Sequence, residues 1–331
     1  MADISIIVCC HNGASKLPAT LTHLFSLRIP ANTQCEIVLV DNASTDNTSL
    51  IAREYWGRSG NNTVDFRVVQ EPNLGLTYAR NAGIANSTGE LIIFCDDDNH
   101  LQSNYVFEAL KVIEADNKIA IVGGLALPQF STVGRAWLVD FYRSMAIGPQ
   151  GPHDGYVDWV YGAGMVIKRS VFLDIRQREI ALSLTDRTGN DHTSGGDAEI
   201  CELARFIGYQ TYYCSSMTLI HDTPAHRLKR SFYLTKSFNT VNEIAYLFLL
   251  NYLIDKPEAG VGALYWILIL RTLKSIPFFI PRMIFGKHQF YSTIMAYRNG
   301  QLVLWLLINR SVFKASYAQI SQNLRRKRVT Q

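Results

Sequence analysis

Apolar residues in the first 115 positions follow two alternating periods. Short runs of consecutive apolar residues, bounded by polar or turn residues, indicate strands buried on both faces. These runs occupy residues 4–10, 36–40, 66–69 and 91–95. Between them, apolar residues recur every three or four positions, as at Leu17, Leu21 and Leu24, and predict amphipathic helices. The β-α-β-α alternation predicts an α/β fold with a mostly parallel sheet and right-handed crossovers.

Polar side chains follow three of the predicted strands. They are His11 and Asn12 after the first strand, Asp41 and Asn42 after the second, and Asp96, Asp97 and Asp98 after the fourth. The carboxyl ends of parallel strands meet at one edge of a sheet, where open α/β folds bind their ligands. Three adjacent carboxylates also repel one another unless solvent, basic groups or a cation relieves the repulsion. A solvated acidic turn is the simpler explanation, but the convergence favours a polar ligand site with a metal.

The common nucleotide-binding loops are missing from the predicted sheet. The turn after the first strand, "CCHNGASK", has one glycine where a dinucleotide-binding loop needs three, and the sequence has no P-loop pattern. Magnesium and manganese prefer carboxylate and phosphate oxygens. A nucleotide whose diphosphate is neutralised by a carboxylate-held cation therefore remains the favoured ligand.

The cysteines and the first residues favour a cytoplasmic protein. The six cysteines have no C-x-x-C spacing and fall in or beside predicted strands, which indicates reduced core residues. The apolar run at the beginning has no basic leader and is too short for a signal peptide. We therefore expect a cytoplasmic location, peripheral on the inner face of the plasma membrane.

Charge and hydropathy change together near residue 226. Residues 1–225 hold 16 Lys or Arg against 25 Asp or Glu, whereas residues 226–331 hold 16 against 3. The apolar segments 244–254 and 261–270 are shorter than a bilayer span, and the chain after the second is interrupted by Arg271, Lys274, Pro277 and Pro281. We expect helices within residues 240–331 to lie on an anionic membrane surface. The alternative is a helical subdomain packed on the rest of the chain; no nucleic-acid motif accompanies the basic residues.

Five segments, in order, resemble the family 2 glycosyltransferases of the GT-A fold. They are "SIIVCCHNG", "EIVLVDNASTDNT", "NLGLTYARNAGIANSTGELIIFCDDDN", "YGAGMVIKRSVF" and "SGGDAEICELARFIGYQ". The resemblance spans roughly residues 3–230. It implies a catalytic domain over 1–230, with nucleotide-sugar binding in about 1–115 and acceptor binding and catalysis in about 116–230, and it leaves 231–331 as a mainly helical extension.

The resemblance also implies roles for individual residues. Asp98 is the metal ligand of a DXD motif, with Asp96 and His221 as further metal candidates. The donor nucleotide is expected to contact Cys9, His11, Asn12, Asp41, Asn42 and Arg80, while Asp96 or Asp97 reaches sugar or ribose hydroxyls. Gly164 lies in a loop close to donor and acceptor. Lys229 and Arg230 follow His221 closely enough to help neutralise the leaving group.

The catalytic base implied by the resemblance is Asp197, with Glu199 as second choice. Glycosyl transfer needs a base for the acceptor hydroxyl, and inversion puts it on the face opposite the leaving group. The pattern "DAEICELARFIG" starts a helix at Asp197, so this residue is equally well explained as a helix cap.

The predicted function is therefore metal-dependent, inverting transfer of a sugar. The donor is a nucleotide sugar, UDP-linked by preference and GDP- or dTDP-linked otherwise, used with Mn²⁺ or Mg²⁺. The acceptor is a glycan or a lipid-linked saccharide in surface polysaccharide or glycoconjugate assembly. The alternatives are a D-x-D phosphatase, a nucleotidyltransferase and a non-catalytic sugar-binding scaffold.

Overall fold

The computed structural model of the protein describes residues 3–59, 64–133, 135–184 and 194–325. Its first four strands are β1 (Ile4–Cys10), β2 (Cys35–Asn42), β3 (Asp65–Glu71) and β4 (Leu91–Asp96). They are all parallel and stand in the order β3-β2-β1-β4. The predicted alternation and the parallel sheet are confirmed, with strand boundaries within two residues of those expected.

The sheet continues through strands that the sequence pattern did not predict. These are β5 (Asn99–Leu101), β6 (Ile119–Phe130), β7 (Gly155–Tyr156), β8 (Val166–Lys168) and β9 (Gln210–Thr223). Strand β8 is antiparallel to both β4 and β6, whereas the long β9 is parallel to β6 and antiparallel to β5 and β7. The β5–β9 pairing sets Asn99 opposite His221, so the acidic turn lies beside β9.

Helices cover both faces of the sheet. They are α1 (Leu17–Phe25), α2 (Thr48–Arg58), α3 (Leu76–Ala85), α4 (Tyr105–Ala115), α5 (Arg169–Gln177) and α6 (Gly196–Phe206). Side chains of β1 alternate between the two cores, as the period of a strand requires. Ile6 and Val8 pack with α1, α2 and α4, and Ile7 and Cys9 pack with α3, α5 and α6.

Within the described residues, five further α-helices follow β9. They are α7 (Arg230–Asn239), α8 (Val241–Asp255), α9 (Val261–Phe285), α10 (Gln289–Ile308) and α11 (Arg310–Arg325). Helix α8 packs on α6, and its apolar face joins the core beneath the sheet. The Tyr246 hydroxyl donates to Glu199 at 2.7 Å, and Arg205 pairs with Asp255 at 2.8 Å. Helix α8 therefore packs against the α/β part of the chain, as the helical-subdomain alternative expected.

Helix α9 is longer than its sequence indicated. The apolar segment 261–270 belongs to a helix that is 25 residues long in total and runs through Pro277 and Pro281. It packs along α10 and buries Leu264, Leu268 and Thr272, contacts that local sequence signals do not reveal. Within the described residues, α9 is the helix whose length and composition match a membrane span, and 28% of its most apolar window is buried.

Candidate active site

The carboxyl ends of β1, β2 and β4 border a cleft with about 750 Å³ of empty space. Parallel pairing sets Cys10 opposite Asp41 and Cys9 opposite Asp96, so the predicted strand-end residues come together at one edge. The cleft is lined by Cys9, Cys10, His11, Lys16, Asn42, Leu74, Gly75, Leu76, Ala79, Asp96, Asp97, Asp98 and Arg227.

A buried carboxylate and a buried imidazole face each other beside this cleft. Asp98 Oδ1 lies 3.6 Å from His221 Nε2, and each side chain is about 5% exposed. The other ring nitrogen of His221, Nδ1, lies 3.3 Å from the Ala146 carbonyl oxygen. Because a carbonyl oxygen only accepts hydrogen bonds, this contact keeps the proton on Nδ1 and leaves a lone pair on Nε2.

This arrangement fits a divalent cation whose remaining ligands come from a bound molecule. One carboxylate oxygen and one imidazole nitrogen suit manganese, and the carbonyl bond behind the ring is the usual support of a metal-binding histidine. Asp96, partly exposed on the same turn, is available as a further oxygen ligand. No set of three or more acidic, histidine or cysteine side chains within the described residues is arranged to hold a metal by itself.

Asp97 lines the cleft and is paired with a lysine there. Its Oδ1 accepts from Lys16 Nζ at 3.0 Å, and its Oδ2 lies 3.7 Å from the thiol of Cys10. Burial raises the pKa of Asp97 to about 6, helped by the charge of Asp98 and opposed by Lys16. Lys16 thus relieves part of the repulsion within the three aspartates, a pairing that the sequence analysis did not identify.

The last two residues of β2, Asp41 and Asn42, are hydrogen-bonded to neighbouring segments of the protein. Asp41 accepts from Ser49 Oγ at 2.5 Å and from Gln70 Nε2 at 3.2 Å. Burial acts to raise the pKa of Asp41, but these hydrogen bonds and those from Ser44 outweigh it and lower the pKa. The Asn42 amide oxygen accepts from the Gly75 N–H at 2.8 Å, so Asn42 fixes the entrance of α3 at the cleft.

His11 and Asn12 tie the end of β1 to the end of β2. His11 Nδ1 lies 2.8 Å from the Asn42 carbonyl oxygen. Asn12, with a left-handed φ of 51°, accepts from the Thr45 N–H at 2.8 Å. His11 still lines the cleft, whereas the carbonyl group of the Asn12 side chain is used to close the loop.

Asp197 lies in the first turn of α6, where it meets a glycine of another segment. Its Oδ2 accepts from the Gly162 N–H at 2.8 Å, and its Oδ1 accepts from the Ala198 N–H at 3.2 Å. The N-cap of α6 is Gly195, so the alternative of Asp197 as the cap is wrong. The carboxylate is partly exposed and fixed in orientation, as a positioned base must be.

Glu199 has a different environment, in which both carboxylate oxygens are occupied. They accept from the backbone N–H groups of Ser183 and Leu184, each at 2.8 Å, and from the Tyr246 hydroxyl. The side chain is 0% exposed. Glu199 therefore joins α6 to residues 183–184 and to α8, and its geometry leaves Asp197 as the better base.

The glycine loop beneath Asp197 is held by two large polar side chains. A Cβ on Gly162 would lie 2.3 Å from Arg80 Nη2, so the Arg80 guanidinium packs directly against this loop. Gly164 has a left-handed φ of 72°, and its carbonyl accepts from the Tyr105 hydroxyl at 2.7 Å. Neither contact is visible in the sequence, because residues 80, 105 and 164 belong to separate elements.

The cation that follows β9 into the cleft is Arg227. It lies in the 3₁₀ helix Ala225–Leu228, lines the cleft and acts electrostatically on Lys16. Arg230, which the sequence favoured, lies instead over the Phe290 ring with 4.7 Å between the guanidinium carbon and the ring centroid. The basic residues after β9 indicated that a cation reaches the cleft, but the sequence did not show that this cation is Arg227.

Comparison with known proteins assigns the family. A model described as "Glycosyl transferase family 2" matches residues 5–175, more than half of the chain. The chain belongs to glycosyltransferase family 2. The family predicted from the sequence is confirmed, and the phosphatase and nucleotidyltransferase alternatives are set aside.

Curated relatives of this family 2 chain are distant and longer than the matched part. A putative glycosyltransferase EpsH of Bacillus subtilis is 30% identical over 147 residues, which cover 44% of this chain and 40% of the relative. A cholesterol galactosyltransferase of Borreliella burgdorferi is 27% identical over 114 residues, which cover 34% and 30%. The chain thus spans less than half the length of these two relatives.

Solved structures resemble the whole chain of this family 2 protein. The mannosyltransferase PcManGT from Pyrobaculum calidifontis, in complex with GDP-Man and Mn²⁺, is 18% identical with a TM-score of 0.57, and 90% of this chain and 87% of that chain are covered. TarS 1-349 of S. aureus, in complex with UDP-GlcNAc, is 16% identical with a TM-score of 0.53, covering 98% and 89%. These likenesses confirm the predicted fold class.

Proposed function

We propose that the protein is a metal-dependent, inverting glycosyltransferase that moves a sugar from a nucleotide-sugar donor to a glycan or lipid-linked acceptor. The observation that carries this proposal is the Asp98–His221 pair, 3.6 Å apart beside a cleft that Lys16 and Arg227 also line. Carboxylate, imidazole and two cations around one cleft suit a nucleoside diphosphate better than a neutral ligand.

Asp98 and His221 would hold the cation, with Asp96 as a further ligand. A bound Mn²⁺ or Mg²⁺ would balance charge on the diphosphate as the bond to the sugar breaks. Two of the similar solved structures support this proposal, since one holds GDP-Man with Mn²⁺ and the other UDP-GlcNAc. Lys16 and Arg227 add positive charge from the protein, and the nucleoside would lie in the same cleft against Gly75 and Leu76.

Asp197 takes the proton of the acceptor hydroxyl. The oxygen attacks the anomeric carbon as the bond from that carbon to the diphosphate breaks, which inverts the configuration there. Two backbone N–H bonds fix the Asp197 carboxylate, and its position in the first turn of α6 favours the negative charge until the proton arrives. The proposed base belongs to α6, whereas the proposed metal ligands lie at the turn after β4 and on β9.

Helix α9 and its neighbours are proposed to rest on an anionic membrane surface, which would be the cytoplasmic face. Large apolar side chains of α9 are exposed: Trp266, Ile267, Leu270, Leu273, Phe278, Ile280, Ile284 and Phe285. Exposed cations, among them Arg271, Lys274 and Lys287, accompany them. Apolar side chains beside basic ones match the interface of an anionic bilayer.

Nucleotide release from a donor panel tests the function. The full chain is incubated with UDP-, GDP- and dTDP-sugars, each with Mn²⁺ and with excess chelator. We expect one donor to be hydrolysed or transferred in the presence of the cation and not in its absence. Release that is equal with chelator, or no release from any donor, would contradict the proposal.

A further inference from the structure

An exposed cation lies on an aromatic ring near the proposed base. Arg143 is in the last turn of the 3₁₀ helix Ala136–Met145, and its guanidinium carbon lies 4.7 Å from the centroid of the Trp159 ring. Among the described residues, no carboxylate oxygen lies within 4.0 Å of this guanidinium. A guanidinium stacked on a ring keeps its N–H edges available for an anion.

Trp159 connects this cation with the base. Its ring meets Tyr161 edge to face, with 5.7 Å between centroids. Tyr161 precedes Gly162, whose N–H holds the Asp197 carboxylate. Burial raises the pKa of Tyr161 to about 12, and both Arg143 and Asp197 act electrostatically on its hydroxyl. Cation and base therefore lie within electrostatic range of one phenol.

The end of the 3₁₀ helix that carries Arg143 also contacts a proposed metal ligand. The Ala146 carbonyl oxygen, three residues after Arg143, lies 3.3 Å from His221 Nδ1. Lys236 Nζ donates to the Ser144 carbonyl at 2.5 Å, which places a second cation one residue from Arg143. Arg143 and Lys236 thus lie at the segment 143–146, which contacts both Trp159, next to the loop that holds the proposed base, and His221, a proposed metal ligand.

The negative charge of the proposed donor diphosphate is already matched by other cations, which lie in the cleft. Lys16 and Arg227 line the cleft beside the aspartates, whereas Arg143 is connected through Trp159 and Tyr161 to the base, where the acceptor hydroxyl must lie. In a reaction between two neutral sugars, the exposed Arg143 and the half-buried Lys236 would have no charged group of the acceptor to bind. They match an acceptor that carries its own negative charge.

We propose that Arg143, assisted by Lys236, binds a phosphate group of the acceptor, so that the acceptor substrate is a phosphate-bearing saccharide. This inference rests on the proposed function of the same site. A guanidinium presents two parallel N–H donors to two phosphate oxygens, which gives orientation as well as attraction. The phosphate belongs either to a lipid carrier or to a phosphodiester within a glycan, and both present the same oxygens to Arg143.

Matched acceptors test the subsite. Glucose, galactose and N-acetylglucosamine are supplied as neutral octyl glycosides and as their octyl and methyl 1-phosphate esters, with a donor that the enzyme turns over. We expect kcat/KM for the phosphate esters of one sugar to exceed that for the neutral glycoside by about tenfold or more. Use of the octyl ester alone indicates a lipid carrier, and use of both esters indicates a phosphodiester in a glycan.

Substitutions at Arg143 test whether this residue causes the preference for phosphate-bearing acceptors. In Arg143→Gln the ratio of kcat/KM for phosphate ester to neutral glycoside should fall towards one, with Arg143→Lys in between, because lysine keeps the charge but not the paired donors. Arg176→Gln, which removes an exposed arginine from α5, should keep the full ratio. Equal use of charged and neutral acceptors, use of neither while the donor is still hydrolysed, or an unchanged ratio in Arg143→Gln would overturn the subsite. Absence of donor hydrolysis would instead contradict the proposed function.

Discussion

Asp98 Oδ1 and His221 Nε2 approach to 3.6 Å because β5 and β9 pair across them. His221 lies 123 positions after Asp98 in the sequence, yet its ring is oriented by the Ala146 carbonyl so that its lone pair faces the carboxylate. The acidic turn after β4 thereby lies beside His221, the proposed nitrogen ligand, and its Asp97 is paired with Lys16. The three aspartates consequently have separate surroundings despite being adjacent in sequence.

Removal of the imidazole should weaken cation binding. We expect His221→Ala to lower the affinity for Mn²⁺ in the presence of nucleoside diphosphate by at least about tenfold, since one of two buried protein ligands is lost. Titration calorimetry with Mn²⁺ and UDP or GDP measures this change. His153→Gln, which alters an exposed histidine in a loop, serves as the control, and equal Mn²⁺ affinity in both variants would count against His221 as a ligand.

Glu199 should contribute to stability rather than to chemistry. In Glu199→Gln the new NH₂ group must face one of two backbone N–H donors, from Ser183 or Leu184, and a buried hydrogen bond is lost. We expect the free energy of unfolding to fall by about 2 kcal/mol. Asp197→Asn, at a partly exposed position, should change it by less than about 1 kcal/mol. Urea unfolding monitored by circular dichroism compares the stability of the two variants. A larger loss in Asp197→Asn than in Glu199→Gln would contradict the structural role of Glu199.

Alanine substitutions at Gly148 and Gly164 distinguish the cost of backbone strain from the cost of a steric clash. Gly164 and Gly148 both have left-handed φ values, of 72° and 89°. A Cβ on Gly164 would lie 2.4 Å from the Tyr105 hydroxyl, whereas a Cβ on Gly148 meets nothing within 4 Å. We expect Gly148→Ala to cost about 1 kcal/mol of stability and Gly164→Ala at least about 2 kcal/mol. If thermal unfolding showed similar losses of stability in the two variants, the Tyr105 side chain would have moved to accommodate the new Cβ at little cost.

The strands and the acidic turn were predictable because their signals are local. A run of apolar residues followed by aspartates defines β4 and its exit without knowledge of any partner. The pairing of Asp97 with Lys16, the use of the Asn42 amide by Gly75 and the stacking of Arg143 on Trp159 join distant segments, so no spacing rule reports them. The full length of α9 was not predicted for the same reason, since its packing along α10 supports a helix across Pro277.

Membrane binding should depend on the exposed face of α9. In flotation with vesicles containing phosphatidylserine, we expect the full chain to rise with the vesicles and to do so less at high salt. Leu270→Glu should reduce the floating fraction severalfold because it puts a charge into the apolar face, which is 52% exposed at this residue. Leu173→Glu, at a leucine of α5 that is 57% exposed, is the matched control. Equal flotation of the two variants would argue that α9 meets another partner.

The most direct test of the account is a comparison of donor binding and turnover in Asp197→Asn. The exchange keeps the shape of the side chain and removes its ability to take a proton, while the Asp98–His221 pair is untouched. We predict a donor Kd within about twofold of the unchanged protein and a kcat for transfer lower by about 10²- to 10⁴-fold, the usual contribution of a general base. Turnover within tenfold of the unchanged protein would show that Asp197 is not the base.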